Sequence, residues 1–598
     1  MENPKSKYEE KLTQLTVELK KTQQKLNTTV ILRVGCFVLA FVNLWLFWGA
    51  PYHIQWVLFV TLIAIFLWLV RRFESLRFEK NYLKVLVEIN ENELKAIEGN
   101  FNQFPNGKEF ADPLHPFAAD LDLFGEGSIF QYINRSGFSR SKQVLANLLK
   151  QPLTHVDEII ASQEGIKELT QLFEFRQDLH ARIHFLGKDE EHTNFLSSWS
   201  EKQEATLTNG FTKLAIWVIP AAMFVVLGLQ IFDVISFSLA IYFYLFPLFV
   251  TGVYLKKITA EHGMLGKVTE GLNALENAIN TIENQQFQAK YLNDIKAPFV
   301  DGVKASKAIE ALKKLSGYFD QRSNFLVGIF LNVFLLWDIR LSIQLEKWKK
   351  QYGNKINAWL QGLSHFEVAA QLANLNYNRA DLNFPEPNTS TLIKAHELGH
   401  PLLLNNRVNN NLEVATETHV VVLTGANMAG KSTFLRTLGV NLILGQIGAP
   451  VCAKSMSFPI LKLYSGMRTT DSLQENASYF FAELKRLSAI VNALEKGEKL
   501  FILLDEILKG TNSKDKEEGS KKLIKRLLDL KAGAIVTTHD LGLCKLESEF
   551  PKHITNMAFE TEIKDNELYF DYKLKRGVCQ TMNASFLMEK MGITSSPS

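Results

Sequence analysis

Four residues separate Gly425 from Gly430, and Lys431, Ser432 and Thr433 follow at once, in the run Thr424-Gly425-Ala426-Asn427-Met428-Ala429-Gly430-Lys431-Ser432-Thr433. The spacing, GxxxxGKS, suits a polyphosphate. Glycines let successive backbone N–H groups turn toward an anion with no Cβ in the way, and a helix opening at Lys431 would present its positive end to the same anion. Lys431 can then reach the β- and γ-phosphates while Ser432 places its hydroxyl on Mg²⁺. The run His419-Val420-Val421-Val422-Leu423 just upstream reads as a strand and the residues downstream as a helix, which is the setting a P-loop requires. The sequence therefore predicts ATP and Mg²⁺ as ligands, with Gly425, Ala426, Asn427, Met428, Ala429, Gly430, Lys431, Ser432 and Thr433 as the binding loop.

Two further strand ends carry chemistry. Leu500-Phe501-Ile502-Leu503-Leu504 leads into Asp505-Glu506; an aspartate there can hold the magnesium shell together with Ser432. Glu506 can orient and deprotonate an attacking water, a base role that needs only hydrogen-bond reach. Ala534-Ile535-Val536 leads into Thr537-Thr538-His539-Asp540, which places His539 to sense the γ-phosphate. Polar residues at the carboxyl edges of three strands in order point to one site built on one sheet, with Lys431, Glu506 and His539 as its catalytic groups.

The elements that must position these groups belong to a chain of 598 residues, long enough for several domains. Hydrophobic residues make up 46% and charged residues 22%, which excludes a disordered or collagen-like chain. A net charge of +3 excludes a strongly basic nucleic-acid coat protein. Cys36, Cys452, Cys544 and Cys579 are scattered, a pattern that supports neither a disulfide framework nor a thiolate zinc site and suits a reducing compartment.

Hydropathy divides the rest. Residues 1–30 form a polar, lysine-rich helix in which Leu12, Leu15, Leu19 and Leu26 keep heptad spacing, with Thr22 in the remaining inward slot. Val34–Ala50 and Trp56–Val70 are apolar runs around a turn-like break at Pro51, giving a first hairpin over 31–72. Leu214–Leu229 and Val234–Leu255 give a second over 206–257, and its last run holds 22 residues without a charge, enough for a membrane span of roughly 20. Lys20, Lys21, Lys25, Arg33, Arg71, Arg72 and Arg77 flank the first hairpin, and Lys213, Lys256 and Lys257 the second, while neither tip carries Lys or Arg. The positive-inside rule then roots both hairpins at the cytoplasmic face, with Trp45, Trp48 and Trp56 at the far interface. Two wholly buried core hairpins are the plainer alternative. A fifth apolar stretch, Phe325–Trp337, is too short to span and reads as a core helix. Residues 73–112 read as a linker helix, 113–205 and 258–385 as helical regions, and from 390 to 598 the pattern turns to alternating strands and helices.

The central Asn-Met-Ala-Gly of the glycine loop, with Leu504-Asp505-Glu506-Ile507-Leu508-Lys509-Gly510-Thr511-Asn512, resembles the ATPase domain of MutS-family proteins. Gly399-His400-Pro401, Gly448-Ala449-Pro450-Val451-Cys452-Ala453, Ser478-Tyr479-Phe480-Phe481-Ala482-Glu483-Leu484 and Tyr572-Lys573-Leu574 with Gly577 are similar to other segments of that domain. A weaker similarity, through Leu121–Phe130, Leu148–Leu153 and Gln163–Leu169, touches the start of the family's helical core. The resemblance implies an ABC-type α/β P-loop domain on a helical core and lever region, here joined to two transmembrane hairpins. It implies ATP hydrolysis by a homodimer, each nucleotide facing Ser478 of the other subunit, and DNA, mismatched DNA included, as partner in a DNA repair or other DNA-transaction role. Phe124-Gly125-Glu126 fits the family's Phe-x-Glu mismatch wedge in letters only, since it lies in the core segment. The first hundred residues form a polar helix and an apolar hairpin where a mismatch-reading domain would stand. ATP chemistry thus carries over residue by residue and mismatch recognition does not. The expected protein is an inner-membrane, multi-pass ATPase with its ATPase domain and N-terminus in the cytoplasm. A nucleotide-gated membrane tether without DNA is the main alternative. A transporter-type ATPase is the weaker one, because Leu463-Tyr464-Ser465-Gly466-Met467 lacks the second glycine of an LSGGQ motif and lies far ahead of Asp505. Adenine contacts stay open among the side chains of Leu404–Leu412.

Overall fold

The computed structural model describes residues 3–46, 52–188, 190–201, 208–266, 269–321, 324–467, 479–508, 512–564 and 567–579. Two antiparallel helices, Pro4–Leu46 and Tyr52–Ile97, begin the chain. Their seam buries Leu15, Thr22, Thr29, Ala40 and Asn43 on the first helix, with Leu12, Leu19 and Leu26 half-buried beside it. The heptad spacing therefore finds its partner in the second helix of the same chain. Register is fixed along the pair: Lys5 Nζ lies 2.7 Å from Glu98, Thr22 Oγ1 donates to Glu79 at 3.4 Å, and Arg33 sits 4.6 Å from the centre of the Phe73 ring. The boundaries drawn at 30/31 and 72/73 from composition fall inside these unbroken helices, because the change from polar to apolar is a change of surroundings and not of backbone. The boundary at 257/258 likewise falls within the helix Phe237–Gly266.

The hairpin is rooted in a helical body. Tyr8 is buried, its hydroxyl within 3.0 Å of Asn374 Oδ1 and 2.9 Å of Asn378 Oδ1. Glu93, near the end of the second helix, takes a two-pronged contact from Arg135 and a hydrogen bond from Asn378 Nδ2. Asn374 and Asn378 belong to Ile356–Asn378, a helix whose residues are mostly buried between Ser139–Lys150, Val156–Gln171 and Lys290–Val300. That helix is the spine of the body.

The second hairpin consists of Gly210–Ile231, opened by an Asn209–Thr212 capping box, and Phe237–Gly266. Each helix of both hairpins contains a stretch long and apolar enough to cross a membrane. The stretch Phe325–Leu335 is a helix, but not of the core: Phe325, Leu326 and Phe330 are 75%, 76% and 62% exposed. Its buried residues are Gly328, Asn332 and Val333, and the helix packs on both helices of the second hairpin. Sequence hydropathy does not separate an apolar helix that is covered from one that is not.

The C-terminal region carries two sheets. It contains the strands β1 (Glu386–Asn388), β2 (Leu392–Leu398), β3 (Asn410–Ala415), β4 (His419–Gly425), β5 (Ser455–Pro459), β6 (Lys462–Gly466), β7 (Leu500–Asp505), β8 (Gly533–Thr538), β9 (Ile554–Lys564) and β10 (Glu567–Arg576), with helices following β4, β6, β7 and β8. The smaller sheet has the order β1-β5-β2-β3; the larger has β10-β9-β4-β8-β7-β6, parallel except for β10. In β4 alternate side chains go to opposite faces, as the pleat requires. Val421 and Leu423 join Leu435, Leu438 and Leu442 of the helix Lys431–Gln446, and Val420 and Val422 join Ile490, Ile524 and Leu527 of the helices on the other face. Coverage of both faces explains the near-continuous apolar strands that the sequence shows.

Candidate functional site

The site grows from the carboxyl ends of β4, β7 and β8. After β4 the chain turns through 426–430 into the helix Lys431–Gln446. Gly430 holds φ at 99°, and a Cβ there would sit 3.2 Å from the Tyr572 ring, so both backbone and space call for glycine. Lys431 is buried and folds back over the loop: its Nζ donates to the carbonyls of Gly425 at 2.8 Å and Ala426 at 2.9 Å, and lies 3.3 Å from His539 Nε2.

Strand pairing sets the second group. Asp505 is in register with Thr537 across β7 and β8. Thr537 Oγ1 donates to Asp505 Oδ1 at 2.5 Å, and Ser432 Oγ donates to Oδ2 at 2.6 Å. Glu506 leaves the strand at φ 52°, in the left-handed region that costs a non-glycine residue roughly 1–2 kcal/mol. Its backbone N–H, near both the carbonyl and the hydroxyl of Thr537, holds it there. The turn aims Glu506 Oε1 to within 2.7 Å of His539 Nε2. That nitrogen can donate to Glu506 or accept from Lys431, but not both at once, so His539 links the two groups through its proton.

These residues close one side of a cavity of about 660 Å³. Ala426–Thr433 and Glu506 line it; Gly425, Asp505 and His539 lie behind that lining and reach it through Lys431, Ser432 and Glu506. The rest of the lining includes His400, the Asn405–Val408 segment, Asn410 and Tyr572. Burial, with Arg436 nearby, pushes the His400 imidazole down to about 4, so it stays neutral near pH 7. Arg407 bridges the wall to Asp381 at 2.9 Å and donates to Cys452 Sγ at 2.8 Å. Burial works against the Asp381 carboxylate, but Arg379 and Arg407 prevail and hold it near 2. Burial raises the Cys452 thiol.

The structure thus brings together every sequence-predicted residue of the glycine loop with Asp505, Glu506 and His539. Ser478 lies outside the described residues. Sequence reasoning missed Thr537, whose hydroxyl reaches Asp505 and whose carbonyl fixes Glu506; its place beside His539 was the available signal. His400 and Tyr572 carried resemblance but no role until the fold set them in the lining of the same cavity as the loop. As a magnesium site, one hydroxyl and one carboxylate joined at 2.6 Å form a hard-oxygen donor pair, which fits an ion completing its shell with water and phosphate oxygens.

Comparison with known proteins agrees with this geometry. Residues 421–596 match the family MutS domain V. The chain's C-terminal domain is a MutS domain V. It is 33% identical over 195 residues to MutS protein homolog 4 of Mus musculus, covering 31% of this chain and 20% of that protein. It is 30% identical over 196 residues to the DNA mismatch repair protein MSH4 of Arabidopsis thaliana, covering 32% of this chain and 24% of the relative. The DNA mismatch repair protein MutS of Thermotoga petrophila gives 30% over 183 residues, 30% of this chain and 23% of that protein. The chain therefore spans about a quarter or less of the length of these relatives.

Proposed function

We propose that the protein is a membrane-anchored ATPase in which the MutS domain V binds and hydrolyses ATP and passes the change to the helical body. One observation carries this reading: Lys431, Ser432, Asp505, Glu506 and His539 converge at one side of a cavity large enough for a nucleotide. The loop N–H groups and Lys431 bind the phosphates. Ser432 and Asp505 would hold magnesium, which when bound neutralises phosphate charge. Glu506 takes a proton from the attacking water, with His539 keeping its carboxylate aimed. The wall from His400 to Tyr572 is the surface offered to the nucleoside. Homodimerisation, with Ser478 completing the partner's site, DNA as ligand, and residence in the cytoplasmic membrane through two hairpins rest on the MutS resemblance and on the span-length apolar helices.

The test is magnesium-dependent ATP binding and phosphate release by the detergent-solubilised protein. Lys431→Ala should abolish binding, while Glu506→Gln should keep ATP bound and lower turnover by at least about a hundredfold. Unchanged phosphate release in Glu506→Gln removes Glu506 from the base role. A second reading, a nucleotide-gated tether without DNA, draws on the small share of these relatives that the chain matches. Filter binding with homoduplex and mismatched DNA separates the two: salt-sensitive retention supports DNA as ligand, and no retention at any salt favours the tether.

A further inference from the structure

The exposed helix Phe325–Leu335 lies against the second hairpin, Phe334 meeting Phe224 and Tyr244 with ring centres 5.7 Å apart in both cases. It contains no charged residue, and its only strongly polar side chain, Asn332, is buried: Nδ2 donates to the Gly328 carbonyl and Oδ1 accepts from the Asp338 N–H. Its outward side chains continue the apolar surface that Phe224, Val225 and Phe249 of the hairpin present. At eleven residues it is about 16 Å long, roughly half the thickness of a bilayer's hydrocarbon core.

Its ends show which way it faces. The chain enters from Ala305–Asp320, a helix of the body, and leaves through Leu336, held at φ 47° and ψ 46°, into Trp337–Tyr352 at a bend of 78°. Trp337 Nε1 lies 3.3 Å from the Tyr318 carbonyl, so entrance and exit sit side by side, marked by two aromatic residues of the kind that settle at a membrane interface. Arg340, one turn further on, donates to the Ile216 carbonyl near the start of the hairpin, and Glu346 lies 3.8 Å from Lys257 at the hairpin's charged base. The ion pair and the arginine contact gather at that base, and at the opposite end of the helix Asn324 serves as cap, its side chain accepting from the Val327 N–H.

From this placement we infer that Phe325–Leu335 is a re-entrant element that inserts into a single leaflet beside the second hairpin, its exposed face covered by lipid acyl chains. The inference rests on the membrane reading of the hairpins. It adds a fifth lipid-facing element that enters and leaves on the side of the helical body.

A photoreactive benzoyl-phenylalanine placed singly at Phe325 or Phe330 of the full chain, reconstituted in phosphatidylcholine–phosphatidylglycerol vesicles, tests it. Phe249 on the hairpin and Leu114, 92% exposed in a loop of the body, serve as references. The inference expects a mass increase of one phospholipid at Phe325, Phe330 and Phe249 and none at Leu114. Lipid adducts at Phe249 with none at Phe325 or Phe330 overturn the inference and leave the hairpin reading standing. No lipid adduct at Phe249 either defeats both. Cross-linking of Phe325 or Phe330 to a second copy of the chain would make the face a protein interface and also overturn it.

Discussion

Asp120 offers the sharpest test of how the helical body is joined to the C-terminal domain. Its side chain is fully buried, and one carboxylate oxygen accepts from Ser465 Oγ at 2.7 Å, Met467 N at 3.2 Å and Arg486 Nη2 at 2.7 Å. Its own carbonyl accepts from Arg436 Nε at 3.1 Å, on the helix that opens with Lys431. The next residue packs just as tightly, since a Cβ on Gly439 would fall 2.5 Å from Leu121. One short segment of the body therefore holds the end of β6, the helix Tyr479–Glu495 and the helix behind the glycine loop. Removing one partner of a buried, hydrogen-bonded ion pair costs about 3–5 kcal/mol, because the opposite charge loses its compensation without regaining water. A domain of this size melts roughly 2–4 °C lower per kcal/mol, so Asp120→Ala should lower the melting temperature on the order of 10 °C.

Asp120→Asn, which keeps shape and one acceptor but no charge, should cost about 1–3 kcal/mol. The functional effect follows from position. Met467 and Arg486 lie on either side of the segment containing Ser478, the residue expected to reach the other subunit's nucleotide. Loosening both anchors should lower turnover about tenfold or more through misplacement, while ATP affinity, set by the loop and Lys431, changes little. Thermal melting with and without ATP-Mg²⁺ and steady-state phosphate release read both quantities. An Asp120→Ala variant that melts with the wild type, or one whose loss of activity is wholly a loss of ATP affinity, would refute the reasoning.

Two further perturbations have definite signs. His400 is held near 4 in the folded protein against an ordinary 6.5, so the unfolded chain binds the extra proton first; stability should fall as pH drops from about 6.5 to 4, by up to about 3 kcal/mol. His400→Gln should flatten that part of the melting-temperature profile, leaving the separate loss expected as pH falls from about 4 toward 2, where the depressed Asp381 carboxylate takes up its proton. Gly533 on β8 has no room for a methyl group, since a Cβ would lie 2.4 Å from the Thr416 backbone, and Gly533→Ala should cost about 1–3 kcal/mol in a denaturant titration.

The chemistry was more legible in the sequence than the architecture. The glycine loop, Asp505, Glu506 and His539 announce themselves because backbone geometry and charge fix both residue type and spacing at a phosphate site. The rest of the cavity lining did not, since His400, Arg407 and Tyr572 come from segments brought together only by the packing of β2, β3 and β10, and nothing local in their spacing shows it. Thr537 escaped for a related reason: its partner Asp505 is a neighbour through strand register, 32 residues away in sequence. Phe325–Leu335 was misplaced because hydropathy reports what a helix avoids and is silent on whether protein or lipid supplies the cover.

The domain boundaries at 30/31 and 72/73 matter for mechanism, because the helices that run through them are stiff. Forty-three residues in one helix extend about 65 Å, joining the hairpin tip to its root without a joint. At the root Tyr8 and Glu93 are bound to Asn374 and Asn378 of the spine helix. The next residue, Arg379, holds Asp381, the Tyr132 hydroxyl and the Pro401 carbonyl. Asp381 in turn holds Arg407 on the cavity wall. The contacts from Tyr8 to Arg379 lie in buried or half-buried surroundings, where leaving a group unpaired is costly, whereas the last link, Asp381 to Arg407, is exposed. A ligand that displaces Arg407 must therefore break the Asp381 bridge or carry the end of the spine with it, and the spine cannot shift alone while Tyr8 and Glu93 remain attached. Packed interiors resist continuous deformation, so movement at the wall either stops at Asp381 or reaches the root of the hairpin.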